Sequence, residues 1–135
     1  FTVTTTDANA TDVVTLAGPF NNRVNEISDK NVVKVLTKDD IQKTTFSEAI
    51  DFQRNIVPKK NFFTYHHIGI YGFTKNALIK YINLKRSKLE LDRNLEQMRA
   101  LDNKMKIHVG YVNSMPVSVD TEKDFQEVKK YMERK

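Results

Sequence analysis

The sequence predicts an α/β domain, a mixed sheet flanked by helices. In the second half, strand-like alternation trades places with helical spacing. In the first half, β-branched runs are short and stopped by turn residues. At 135 residues, 39% of them hydrophobic and 29% charged, the chain has the length for one domain with a real core but is short for two, and residues 1–135 read as a single domain.

Residues 1–11 are rich in Thr, Asp, Asn and Ala without a clear period, and read as an irregular start with a possible strand at 2–6. Asp12-Val13-Val14-Thr15-Leu16 is a short buried strand stopped by Gly18-Pro19, and 21–30 is polar and turn-like. Asn31-Val32-Val33-Lys34-Val35-Leu36 is a second strand, with which 44–46 can pair. Residues 47–60, with mixed charges and Pro58, read as a loop of the length that binding loops have. A strand over 62–73 follows. Thr74 caps a helix to about 83, with Ala77, Leu78, Tyr81 and Ile82 at helical spacing. Residues 89–101 form one helix with Leu91, Leu95, Met98 and Leu101 on its buried stripe. Strand 106–112 puts Ile107, Val109 and Tyr111 on one face and His108, structural, on the other. Asp120 or Thr121 caps a last helix whose apolar face is Phe125, Val128 and Met132.

Composition narrows the function. There is no cysteine, so disulfides, thiolate metal sites and a cysteine nucleophile are excluded, in keeping with a reducing, cytoplasmic setting. No run approaches the length of a membrane span, and no segment suggests a secretory signal. The net charge of +5 suits an anionic partner, but no nucleic-acid motif accompanies Lys75, Lys80, Lys85, Arg86 and Lys88, which read as a solvated face. No phosphate loop, serine elbow or zinc pair is present, and neighbours His66 and His67 point opposite ways on a strand.

The informative stretch is Tyr65-His66-His67-Ile68-Gly69-Ile70-Tyr71-Gly72-Phe73. As a strand it puts Ile68 and Ile70 on one face, expected to be core, and His67, Gly69 and Tyr71 on the other. That second face is either a site, with Gly69 leaving a gap between imidazole and phenol, or a polar face that meets water. Glu96 and Gln97 sit beside the helical stripe, where they reach a ligand or water. Asp120, where a strand hands over to a helix, is a hard oxygen ligand for Mg²⁺ or a plain N-cap.

The pieces Asp12-Val13-Val14-Thr15-Leu16, Asn31 to Leu36, Phe46-Ser47, His67 to Phe73, Leu95-Glu96-Gln97-Met98-Arg99, Lys106-Ile107-His108-Val109 and Val119-Asp120-Thr121-Glu122-Lys123-Asp124-Phe125 come in one register. Together they resemble the C-terminal part of the 3-deoxy-manno-octulosonate (Kdo) cytidylyltransferase family, the CMP-Kdo synthetases. The resemblance implies part of a Rossmann-like nucleotide-diphospho-sugar transferase fold, in a cytoplasmic homodimer that serves lipopolysaccharide synthesis. It implies transfer of CMP from CTP to Kdo with release of pyrophosphate, and Mg²⁺ as cofactor. It makes Asp120 a metal ligand, His67 and Tyr71 contacts of the sugar acid, and Glu96 and Gln97 contacts of its hydroxyls, with Ser47 also among the substrate-binding residues.

Two departures stand out. The family reads Phe-Ser-Arg where this chain has Phe46-Ser47-Glu48, and a carboxylate there would repel an acidic sugar. Either Arg54 or a lysine compensates, or the acceptor is another acidic sugar, or this copy is impaired. The family's CTP-binding residues also lie upstream of anything matched here, so the chain alone is expected to be inactive. A non-catalytic module that binds a sugar acid or a protein is the rival expectation.

Overall fold

The computed structural model describes residues 11–56, 61–117, 119 and 121–134. Strands β1 (Val13–Gly18), β2 (Lys34–Thr37), β3 (Phe46–Gln53), β4 (Phe63–Phe73) and β5 (Ile107–Tyr111) form a mixed sheet in the order β1-β4-β2-β3-β5 that closes on itself. Only β1 and β5 run parallel; every other neighbouring pair is antiparallel. Around it lie α1 (Arg23–Ser28), α2 (Ile41–Thr44), α3 (Lys75–Ile82), α4 (Lys88–Arg93), α5 (Met98–Asp102) and α6 (Glu122–Glu133). This is the expected mixed sheet with helices. Val13, Ala17, Val35, Phe52, Ile107 and Val109 are all at 1% exposure or less and make its core. Among the described residues no helix is long and apolar enough to cross a membrane.

Several local expectations are corrected. The polar stretch 21–30 contains a helix, α1, because Asn22 accepts from the Asn25 amide while Glu26 returns a carboxylate oxygen to the Asn22 amide at 2.9 Å. The connection before β3 holds α2, capped by Asp40. The expected loop 47–60 is strand as far as Gln53, with Ser47, Ala49 and Asp51 facing in and Ile50 39% exposed. Small and polar inward residues concealed that alternation. The possible strand at 2–6 lies outside the described residues.

The expected single helix 89–101 is two. Asn94 ends α4 in the left-handed region with φ 52°, and α5 starts only at Met98. Leu91 is therefore on the outside, 55% exposed, while Leu95 and Met98 are buried. On α3 only Ala77 is buried, and Leu78 and Ile82 face out. The Thr74 cap is as expected, its hydroxyl accepting from the Ala77 amide at 3.2 Å. His108 is structural as read: Nδ1 lies 3.0 Å from the Thr11 hydroxyl, and its ring stacks on Phe46.

The faces of β4 are exchanged relative to expectation. Tyr65 and His67 are buried, whereas Ile70 is 57% exposed. The ladder with β1 jumps from Thr15–Tyr71 to Leu16–Ile68, a bulge that leaves Gly69 and Ile70 without partners. The Thr15 hydroxyl reaches the Ile70 carbonyl at 2.7 Å and lies 3.2 Å from that of Ile68. An inward threonine from the neighbouring strand thus holds the bulge in place.

Candidate functional site

Beside the bulge opens a hollow of about 540 Å³, lined by His66, His67, Gly69 and Tyr71 of β4, by Arg54, and by the corner from Asn94 to Gln97 between α4 and α5. Its volume falls within the range of about 300–1,000 Å³ common for small-molecule sites. Met115 and Pro116 close one side; Gly18 permits this, because a Cβ there would meet the Met115 sulfur at 2.7 Å. At Gly69 a Cβ would meet nothing within 4 Å, so packing does not require a glycine there.

His67 is 7% exposed, and its Nε2 lies 2.9 Å from the Thr15 hydroxyl. With that hydroxyl's proton given to Ile70, Nε2 must donate, and Nδ1 keeps a lone pair. Burial, and secondarily the neighbouring His66, push the imidazole pKa down to about 4, so His67 is neutral near pH 7. Burial also raises the Tyr71 phenol above its ordinary value, with Glu96 adding to the effect. The two rings sit 5.6 Å apart.

Glu96 is exposed and Gln97 buried, at 6%. Their corner is held by charge pairs from behind. Glu90, 1% exposed, receives both Nε and NH2 of Arg99 at 2.8 and 2.6 Å, and Arg86 Nε at 3.0 Å. The Arg99 hydrogen bonds, ahead of the others, hold the Glu90 pKa down to about 2. Arg93 pairs with Asp51 and donates to the Phe52 carbonyl at 2.8 Å, fixing α4 to β3. Arg54 donates to the carbonyls of Lys30, Arg93 and Asn94 at 3.1, 3.2 and 3.1 Å, so its guanidinium is fixed at the wall with no ion-pair partner among the described residues.

The structure brings together four of the six site residues read from the sequence, His67, Tyr71, Glu96 and Gln97. Among the described residues, His67 Nδ1, the Tyr71 hydroxyl, the Glu96 carboxylate and the Gln97 amide have no hydrogen-bond partner. Spare donors and acceptors in one concavity suit a polyhydroxylated ligand. Ser47 is not in the hollow: its buried hydroxyl donates to the Asp39 carboxylate at 3.0 Å and accepts from the Asp39 amide at 2.9 Å. Asp120 lies outside the described residues.

Glu48 does not line the hollow, whereas Arg54 does. Sequence reasoning missed His66 and Thr15. His66 lines the wall, stacks on Phe20 and brings Nδ1 to 3.2 Å from Glu26, without hydrogen-bond geometry. The signal for Thr15 was a hydroxyl inside an apolar strand, which needs a buried partner.

A closed mixed sheet thus carries one polar hollow at a strand bulge. The chain belongs to the cytidylyltransferase family, whose profile matches residues 2–107. It is 38% identical to the 3-deoxy-manno-octulosonate cytidylyltransferase of Bartonella henselae over 122 residues, 90% of this chain and 49% of that protein. The protein of the same name from Rickettsia canadensis is 38% identical over 105 residues, 78% of this chain and 43% of that one. A solved structure of CMP:2-keto-3-deoxy-manno-octonic acid synthetase complexed with CTP superposes with a TM-score of 0.76 at 26% identity, over 95% of this chain and 52% of that chain. The chain thus spans about half the length of the relatives it matches.

Proposed function

We propose that this chain supplies the sugar-binding part of a cytidylyltransferase that joins CTP to Kdo, giving CMP-Kdo and pyrophosphate, as a cytoplasmic homodimer. The observation that carries the proposal is the convergence of four polar side chains, each with an unused donor or acceptor, on one hollow beside the Arg54 guanidinium. Arg54 takes the sugar carboxylate, the role Glu48 cannot fill. His67 Nδ1, the Tyr71 hydroxyl, Glu96 and Gln97 take hydroxyls.

His67 orients the acceptor and does not deprotonate it. A base whose pKa is pushed down to about 4 is too weak to take a sugar hydroxyl proton near pH 7. Mg²⁺ is part of the proposal, with Asp120 as a ligand; when bound it screens the nucleotide phosphates. Among the described residues no group of three or more His, Cys, Asp or Glu side chains could hold a metal, so no step is derived through the ion.

The test is pyrophosphate release from CTP, Kdo and Mg²⁺. The expected result is none with this chain alone and release when the nucleotide-binding half of a relative is added. Silence in both mixtures removes the catalytic claim, and release by the chain alone contradicts the division of labour.

A further inference from the structure

The corner that carries Glu96 and Gln97, although Leu95, Gln97 and Met98 are buried there, has a space on one side. Beneath it lies a second, mostly apolar hollow of about 250 Å³, lined by Tyr71, Phe73, Tyr81, Glu96, Gln97 and Ala100 among others. The backbone there is irregular: Asn94 is left-handed, and Gln97 begins α5 without a side-chain cap. One side chain bridges the gap. The Tyr81 hydroxyl, from α3, donates to the Glu96 carbonyl at 3.1 Å, the same oxygen that accepts from the Arg99 amide at 3.1 Å. Behind it, the Arg99 guanidinium lies 4.9 Å from the Tyr81 ring centroid while clamped to buried Glu90. Tyr81 therefore stands as a strut between α3 and the corner, with its ring held from below.

We infer that Tyr81 is a positioning residue for sugar-hydroxyl recognition: its bond to the Glu96 carbonyl, steadied by the Arg99–Glu90 clamp, sets where the Glu96 carboxylate and Gln97 amide stand in the larger hollow. This rests on the sugar-binding reading above. Beyond the corner, the Tyr81 ring packs against Phe73, 5.5 Å away between ring centroids, and shares the smaller hollow with Tyr71. Without the hydroxyl the corner can sag into the empty space below, and misplacement on the scale of an ångström is enough to cost recognition.

Tyr81→Phe keeps the ring and removes only the strut. Kdo affinity, measured by calorimetry, is expected to fall about tenfold, with a melting temperature lowered by no more than about 4 °C. In a Glu96→Ala, Gln97→Ala background the same substitution should cost almost nothing further, because the groups it positions are gone. A merely structural role would instead add its full cost in both backgrounds, and that result overturns the inference. Amide exchange at Arg99, whose N–H donates to the same Glu96 carbonyl, is expected to be faster in Tyr81→Phe and tests the strut without any sugar; unchanged exchange also overturns it. Should the parent chain fail to bind Kdo, the sugar-binding reading falls while the exchange measurement still decides the strut.

Discussion

Helices α4 and α6 both begin with a capping box, Ser87 with Glu90 and Thr121 with Asp124. Both also show apolar residues at helical spacing. Yet α4, the turn after it and α5 bury Glu90, Leu95, Met98 and Ala100, while α6 buries nothing and leaves Phe125 49% and Met132 70% exposed. The difference lies in where the charges find partners. On α4 and α5 they cross between elements: Arg93 to Asp51 on β3, Arg99 back to Glu90, and Arg54 onto the carbonyls of Arg93 and Asn94. On α6, Gln126 pairs with Glu122 and Lys129 with Glu133, each four residues away on the same helix. Local signals make a helix; partners on other elements anchor it and give it a place in a site.

The largest effect expected from this contrast is at Glu90. Glu90→Gln leaves two arginines facing a buried amide and should cost about 3–5 kcal/mol in urea unfolding. A cost below about 1 kcal/mol would break the comparison.

Next comes the pH response of the anchored wall. The unfolded chain protonates His67 near 6.5 and the folded chain only at about 4, so between those values the unfolded state binds more protons. Stability should therefore fall by about 3 kcal/mol as pH drops through that window, and be fully present above it. His67→Gln should flatten this limb alone. Glu90 adds its own loss below its ordinary 4.5, as the pH falls toward about 2. An unchanged pH profile in His67→Gln would mean that the imidazole is not buried as a neutral group.

Asn94→Ala should cost about 1 kcal/mol, because alanine tolerates the left-handed region less well than asparagine, while Asn94→Gly should be nearly silent. The smallest effect is reserved for α6. Met132→Ser should change stability by less than about 0.5 kcal/mol, and a larger loss would show that α6 is anchored after all.

The sequence made legible what is local. The β4 span, the Thr74 and Thr121 caps and the alternation of β5 depend on neighbouring residues, and all are present in the structure. What failed depends on distant partners. The inward face of β4 is set by Thr15, 52 residues from His67, and β3 hid because its inward residues Ser47, Ala49 and Asp51 do not look apolar. Closure of the sheet through the β3–β5 ladder has no local signal either. For the site, strand parity placed His67 and Tyr71 together, helical spacing picked out Glu96 and Gln97 beside the buried stripe, and the family resemblance joined the four as sugar contacts. Neither could show that Arg54 stands in the wall and Ser47 outside it.

The central claim is that the hollow at the β4 bulge receives an acidic sugar through His67, Tyr71, Glu96, Gln97 and Arg54. Calorimetric titration of Kdo into this chain, and into Arg54→Met and Gln97→Ala variants verified as folded, tests it most directly. The account predicts saturable heat at one site, lost with Arg54→Met and weakened about tenfold with Gln97→Ala. Heat that survives both substitutions unchanged, or no heat from the parent chain, would contradict it.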